Sequence, residues 1–546
     1  MPADFCTDTH RMTPTIIAEP ATTVDPDGIA TPELDLIPVD NSVGETVSEL
    51  GGELRALAHR SSHYLVGLVA NLALGFVSFP IFTRVFSVDQ YGMMDLGQRL
   101  LLLMTVMSKL GIQNASLRFY NSVEFAKDPA AEKKYYSTLF YGILGSSAIT
   151  VLLFLVAGFF FPQLLSGGPL ASLSYILLGV AVVRAVSSIL QGFLRVEERT
   201  KAFNFLLVAT KAGTIAGVCA LFVLMSRTAR TYFVGTLLVE GLLAAGVTVW
   251  FFRRRVLSPT AFRWDLFRSA VAYGTPLVVY EFAFAILGSS DRFLVRHYVG
   301  AEALGFYAVA HGLARNVNEL FVVPLGLALV PMYMRIWTTD GARKTTAFLS
   351  TAFDLYIIAS AGLLAAVAAC GRSMVILLAS SKYTGADRLI PIILAALFIY
   401  AAHVFVGAGL LIHKKTLQMA VILACAAVFN IALNCFLLPR IGLMGGAIST
   451  LGSYLACIIA LAVASHRVLP LNVHKSSLAK YAVAAAMSWF LGSQLRIASP
   501  FLECLVRFSF SMIVYVGILY LLDERVRGVW QWFTTWLTQR RQPAQI

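Results

Sequence analysis

Polar and apolar positions along this chain fall into long blocks, without the short alternation of a strand. Fourteen apolar segments succeed one another, at about 63–84, 92–113, 135–160, 170–194, 203–225, 231–252, 270–297, 302–333, 347–371, 388–410, 416–438, 443–465, 478–496 and 501–523. Each is near the ~20 residues that cross the hydrocarbon core of a bilayer. The pattern predicts an all-α, polytopic membrane protein with 14 transmembrane helices. The second, seventh and eighth segments are the least apolar. The connecting stretches are too short for a folded extramembrane domain.

Composition agrees with this reading: 58% of residues are apolar and 13% charged, against about 45–50% and about 25% in soluble domains. The seven cysteines show neither a disulfide framework nor a metal spacing. Neither a metal nor a cofactor is expected. Residues 1–54 are the exception to the apolar blocks. They carry eleven acidic residues and one basic residue, Arg11, and read as a disordered acidic tail. The rest of the chain holds 42 Lys and Arg (43 less Arg11) against 19 Asp and Glu (30 less eleven), a net +23. That excess points to anionic lipids or an anionic substrate. Nucleic acid is not expected, because much of the charge sits in short loops.

Loop charge predicts orientation. One set of alternate loops carries 20 Lys and Arg, from Arg118 to Lys480, and the other carries 9. The richer set is expected on the cytoplasmic side, with both termini.

The chain also repeats itself. Arg84 ends the first segment and Tyr91-Gly92 opens the second; Arg296 ends the seventh and Gly305-Phe306-Tyr307 opens the eighth. The repeat predicts two lobes in one orientation, residues 55–255 (helices 1–6) and 256–468 (helices 7–12), related by an axis along the membrane normal. Residues 469–525 would add helices 13 and 14. Residues 526–546, with Trp530, Trp532 and Trp536, would form an interfacial amphipathic helix.

Ionisable groups within spans are costly, about 2.5–3.5 kcal/mol each on insertion scales, and usually face a cavity or a partner. His311, Arg315, Asn318 and Glu319 share one helical face. Asp95, Gln98, Arg99 and Lys109 form a second polar stripe, and Glu281, Asp291 and Arg292 a third. Asp95–Arg99 and Arg315–Glu319 have the i, i+4 spacing of structural ion pairs. Three polar helices around one cavity explain the stripes together. Arg suits a diphosphate because its planar fork donates two hydrogen bonds. Arg99, Arg292, Arg315, Lys109 and Asn318 are therefore candidate substrate ligands. Glu281, Asp291, Glu319 and His311 are candidates for ion coupling. Pro80, Pro276, Pro324 and Pro331 are candidate hinges, since each removes a backbone donor. Arg184, Lys211 and Glu240 look isolated, with packing or an unseen partner as the default.

At four places the sequence resembles polysaccharide (Wzx-type) flippases of the multidrug/oligosaccharidyl-lipid/polysaccharide exporter superfamily. These are Phe79-Pro80-Ile81-Phe82-Thr83-Arg84 with Tyr91-Gly92, Leu110-Gly111-Ile112 with Arg118-Phe119-Tyr120, Ser290-Asp291-Arg292-Phe293, and Asn430 and Asn434 with Pro439-Arg440-Ile441-Gly442. The resemblance implies two six-helix lobes around a central cavity in a bacterial inner membrane. It implies flipping of a polyprenyl-diphosphate-linked oligosaccharide to the outer leaflet, and brings a polysaccharide polymerase and export machinery into view as partners. The alternatives are a drug or cation antiporter of the same superfamily, whose cavity should be mainly acidic or apolar, and a membrane polymerase or glycosyltransferase, which usually needs a sizeable catalytic loop. An enzyme is not expected.

Overall fold

The computed structural model describes residues 62–120, 128–160, 173–254, 256–471, 475–524 and 526–528. The acidic tail and the tryptophan-rich segment from 529 onward lie outside the described residues. The described chain is built of helices: α1 (Ser62–Val85), α2 (Val88–Lys109), α3 (Ile112–Tyr120), α4 (Pro129–Phe160), α5 (Ser174–Val196), α6 (Thr200–Leu224), α7 (Ala229–Arg253), α8 (Trp264–Leu287), α9 (Ser290–Tyr298) and α10 (Ala301–Leu378). They continue with α11 (Ile390–Ala401), α12 (His403–Val406), α13 (Ala408–Ile412), α14 (Thr416–Ile441), α15 (Leu443–His466), α16 (Lys475–Ser493) and α17 (Pro500–Leu522). Among the described residues ten helices are long and apolar enough to cross a membrane, or eleven with α2 and α3 taken as one bent span. The protein is a multi-pass membrane protein.

The surface is that of a protein meant for lipid. Val223, Phe159 and Leu521 are 75–85% exposed, whereas Asp291 and Arg292 are almost wholly buried. With lipid outside, apolar contact no longer drives helices together, so association rests on close packing and polar contacts. Small residues supply the first: a Cβ on Gly362 would lie 2.6 Å from the Tyr515 ring, and one on Gly492 2.0 Å from Ser511 Oγ.

Several segments depart from a simple one-helix pattern. The second segment splits where Leu110 and Gly111 both take left-handed backbone, φ 44° and φ 69°, and α2 and α3 meet at 44°. The seventh divides into α8 and α9 at Gly288–Ser289. The eighth and ninth merge into α10, whose 78 residues turn at Gly341 (φ 80°, ψ −170°). At about 1.5 Å per residue α10 is far longer than a bilayer core is thick. Its middle, read as a loop from its charge, is helix, because charged residues such as Arg335 and Lys344 form helix well. The tenth segment breaks into α11, α12 and α13 at Ala402 and Gly407. The four proline positions lie inside continuous helix, and the breaks of α2–α3, α8–α9 and α10 fall at glycines instead.

Packing partners recur along the chain. α1 packs on α6 as α8 packs on α14; α2 on α5 as α10 on α11; α5 on α7 as α11 on α15; α6 on α7 as α14 on α15. α16 and α17 pack on each other and on α10.

Candidate functional site

The two repeated hairpins meet each other. A Cβ on Gly92 (α2) would lie 2.8 Å from the Gly305 backbone nitrogen, and one on Gly305 (α10) 2.1 Å from the Val88 carbonyl oxygen. The aromatic–Gly pairs are thus the places where the start of α2 touches the start of α10. Neighbouring groups tie this face, called here the hairpin face. Arg84 Nη2 donates to Leu377 O at 2.6 Å, Thr83 Oγ1 donates to Ala379 O at 3.2 Å, and Lys382 Nζ donates to the carbonyls of Arg84 and Phe86. Arg84, equally readable as a residue reaching toward the membrane surface, instead satisfies carbonyls at the C-terminus of α10, where the helix itself leaves them unpaired. The opposite, basic face has its own contact. A Cβ on Gly111 would lie 2.6 Å from Gly274 Cα, and the Arg118 guanidinium stacks 4.5 Å from the Tyr273 ring centroid.

Between these contacts lies a polar cluster drawn from α2, α9, α10 and α15. Arg292 is its centre. Its Nε is 3.0 Å from Asp95 Oδ2, and its Nη1 is 2.7 Å from Asp291 Oδ1 and 2.9 Å from Gly288 O. Asp95 in turn accepts from Arg99 at 3.3 Å. Asp291 accepts from Tyr307 OH at 2.7 Å and Thr450 at 3.4 Å, with His311 Nε2 3.3 Å away. Gly446 makes room for this: a Cβ there would be 3.2 Å from the Tyr307 ring. A neighbouring knot links Ser290 to Asn430 at 2.8 Å and Asn430 to Asn434 and Ser453.

The predicted residues therefore divide into groups. Asp95, Arg99, Asp291, Arg292 and His311 come together. Arg315, one turn beyond His311, is only 3.8 Å from Glu319, and both side chains are 40–46% exposed. Asn318 Oδ1 is buried without a partner. Glu281 lies apart, nearer the basic face, where it accepts from Asn114 at 3.1 Å and Gln113 at 3.4 Å. Lys109 makes no hydrogen bond or ion pair among the described residues; Glu281 is the carboxylate whose charge it feels.

Two residues read as isolated are not. Arg184 (α5) grips Glu240 (α7) with two bonds of 2.9 Å and donates to Gln98 at 3.1 Å. Gln98 donates to Tyr232 OH at 3.0 Å. The partners are 56 and 86 residues apart in sequence, beyond any local spacing rule. Only the mutual cost of two lone charges in lipid could have suggested the match. Arg184 is thus held by Glu240 and Gln98, and Arg292 by Asp95, Asp291 and the Gly288 carbonyl. Arg99, with its Nε unpartnered, and Arg315 keep donors to spare.

Residues 57–337, half of the chain, match the sequence profile of the family described as "Polysaccharide biosynthesis protein". The chain belongs to that family. Its sequence is similar to the Lsg locus putative protein 1 of Haemophilus influenzae, 23% identical over 50% of this chain and 64% of that protein. An uncharacterised membrane protein of Methanocaldococcus jannaschii is 26% identical over 35% of this chain and 37% of its own length. The chain thus spans less than two thirds of each curated relative. In fold the family member is similar to the lipid II flippase MurJ in an inward closed conformation, with a TM-score of 0.67 at 13% identity over 84% of this chain and 98% of that one. It is also similar to an inward-facing multidrug resistance MATE family transporter of the MOP superfamily, with a TM-score of 0.59 at 13% identity over 76% and 96%. The chain has the fold of these transporters.

Proposed function

We propose that the protein flips a polyprenyl-diphosphate-linked oligosaccharide from the cytoplasmic to the outer leaflet of a bacterial inner membrane, for surface polysaccharide or exopolysaccharide assembly. The observation that carries this is two guanidinium groups with donors to spare, Arg99 and Arg315, beside a charge cluster enclosed between the hairpin-face and basic-face contacts. A planar guanidinium fork suits a diphosphate. Arg292 positions: by holding Asp95 it fixes the carboxylate that orients Arg99. Asn318, with its buried unpaired oxygen, and Lys109 line the route.

Fourteen helices in two lobes, 55–255 and 256–468, with 469–525 appended, is the architecture that fits this mechanism. The recurring packing partners support it, and loop charge supports a cytoplasmic basic face with both termini inside. The hairpin face is then the outer gate, shut at Gly92–Gly305 and held by Arg84. Opening requires that contact to part while the Gly111–Gly274 contact keeps the basic face closed. Pro80, Pro276, Pro324 and Pro331 soften the helices that must bend. The membrane potential favours export, by up to about 4.6 kcal/mol per 100 mV for two negative charges. Asp291 and His311, 3.3 Å apart, are the groups placed to exchange a proton or ion against the substrate, with Glu281 and Glu319 as further carboxylates. A polysaccharide polymerase and export machinery would take up the product.

The test is genetic. Deletion should stop surface polysaccharide and leave lipid-linked oligosaccharide on the inner leaflet, and reporter fusions at Ser42 and Gln545 should both behave as cytoplasmic. Oligosaccharide that reaches the outer leaflet at the normal rate in the deletion strain contradicts the proposal, and a periplasmic reporter contradicts the orientation.

A further inference from the structure

Lys211 sits midway along α6, the twelfth of its 25 residues. Counted at about 1.5 Å per residue it lies roughly 16–20 Å from either helix end, deep in the span. Among the described residues it makes no hydrogen bond and no ion pair within 4.0 Å; its charge is felt only at longer range, with Arg315, Arg184, Glu319 and Glu240. Arg184 and Glu240 are already committed to each other. Glu319 stands against Arg315. Four carboxylates, Asp95, Asp291, Glu319 and Glu281, stand against Arg99, Arg292, Arg315 and Lys109, so Lys211 is the cation in excess.

An unpartnered cation deep in a span is costly, and such residues mark ligand pathways. The placement is specific as well. α6 packs on α7, α1 and α5, and α1 in turn touches α10. Counted from the hairpin-face ends of their helices, Arg315 lies about 21 Å and Lys211 about 20 Å down, at matching depth. One cation comes from the first half of the chain and the other from the second.

Resting on the flippase reading, we propose that Lys211 and Arg315 form a two-sided clamp for the diphosphate, with Arg315 taking one phosphate through its fork and Lys211 the other as a point charge. The flexible lysine stem lets one arm of the clamp follow the ligand while the two halves rearrange. A monophosphate would engage one arm alone. This assigns to α6 a binding residue that the polar stripes of the other helices do not contain.

The test uses the purified full-length protein in detergent, with farnesyl diphosphate as probe and farnesyl monophosphate as control. Lys211→Met should weaken diphosphate binding at least tenfold and monophosphate binding by less than threefold. Lys211→Arg should stay within threefold of wild type. Because Lys211 has no hydrogen-bond or ion-pair partner among the described residues, Lys211→Met should also raise the thermal midpoint of the ligand-free protein. A Lys211→Cys variant alkylated with bromoethylamine, which rebuilds a lysine-like cation, should regain binding. If Lys211→Met binds the diphosphate like wild type while Arg315→Ala does not, the clamp is wrong and the diphosphate reading stands. If neither variant differs from wild type, or wild type does not bind the probe, both fall. If Lys211→Met lowers the midpoint and adding Glu319→Gln restores it, Lys211 is a structural partner of Glu319 and the clamp is overturned.

Discussion

Arg315→Ala should abolish surface polysaccharide while the protein stays at close to its wild-type level in the membrane. The asymmetry follows from the surroundings of the side chain. Among the described residues its one ion pair is with Glu319 at 3.8 Å, and both groups are nearly half exposed. Such i, i+4 pairs contribute only about 0.2–0.5 kcal/mol, and the carboxylate left behind can still be hydrated. Stability therefore changes little, whereas the diphosphate loses its fork. Arg315→Lys should restore export only partly, because lysine keeps the charge without the bidentate geometry. The measurement is a quantitative surface-polysaccharide assay beside an immunoblot of the membrane fraction. Reduced abundance of Arg315→Ala, recovered when Glu319→Ala is added, would show a structural ion pair in place of a ligand.

Arg292→Ala should fail in the opposite way. This guanidinium is 2% exposed and sits between Asp95 and Asp291. Its removal leaves two nearly buried carboxylates without their main counter-charge. Breaking a buried pair from one side costs about 3–5 kcal/mol, a large part of a typical stability of about 5–15 kcal/mol. Membrane abundance and the thermal midpoint in detergent should fall sharply. Neutralising the partners as well, with Asp95→Asn and Asp291→Asn, should recover much of the midpoint but not export, because Arg99 then loses the carboxylate that orients it. An Arg292→Ala protein of normal abundance that cannot export would instead place Arg292 on the substrate.

These contrasting expectations for two arginines show what the sequence made legible. The spans could be read because about 20 apolar residues suffice to define one, and the polar stripes because helical periodicity is local. The His311–Arg315–Glu319 face is such a stripe, and it was readable from spacing alone. What spacing could not separate was the arginine locked between buried carboxylates from the one beside a single exposed carboxylate. Arg292 and Arg315 look alike in sequence, but Asp95, 197 residues away, pairs with the first, while the second faces only the half-exposed Glu319 among the described carboxylates. Arg184 and Glu240 appeared as two lone charges for the same reason. The resemblance motifs located the hairpins without their use: Gly92 and Gly305 are one of the places where the two halves touch, a fact that belongs to the pairing of the halves and to neither alone. The helix breaks are a separate matter from the candidate proline hinges, and no local spacing marked them. A proline inside a long apolar helix leaves the helix continuous when neighbours re-satisfy the freed groups, while Leu110-Gly111 and Gly341 leave helical backbone angles altogether.

The most direct test is transport itself. Purified protein is reconstituted into liposomes carrying a fluorescent polyprenyl-diphosphate oligosaccharide, and the leaflet position of the sugar is read by a membrane-impermeant quencher. Wild-type protein should move the sugar between leaflets far faster than empty liposomes, and Arg315→Ala should match empty liposomes. Liposomes in which wild-type protein leaves the sugar in place, yet exchanges an organic cation for protons or Na⁺, would contradict the flippase reading and identify a drug antiporter on the same fold.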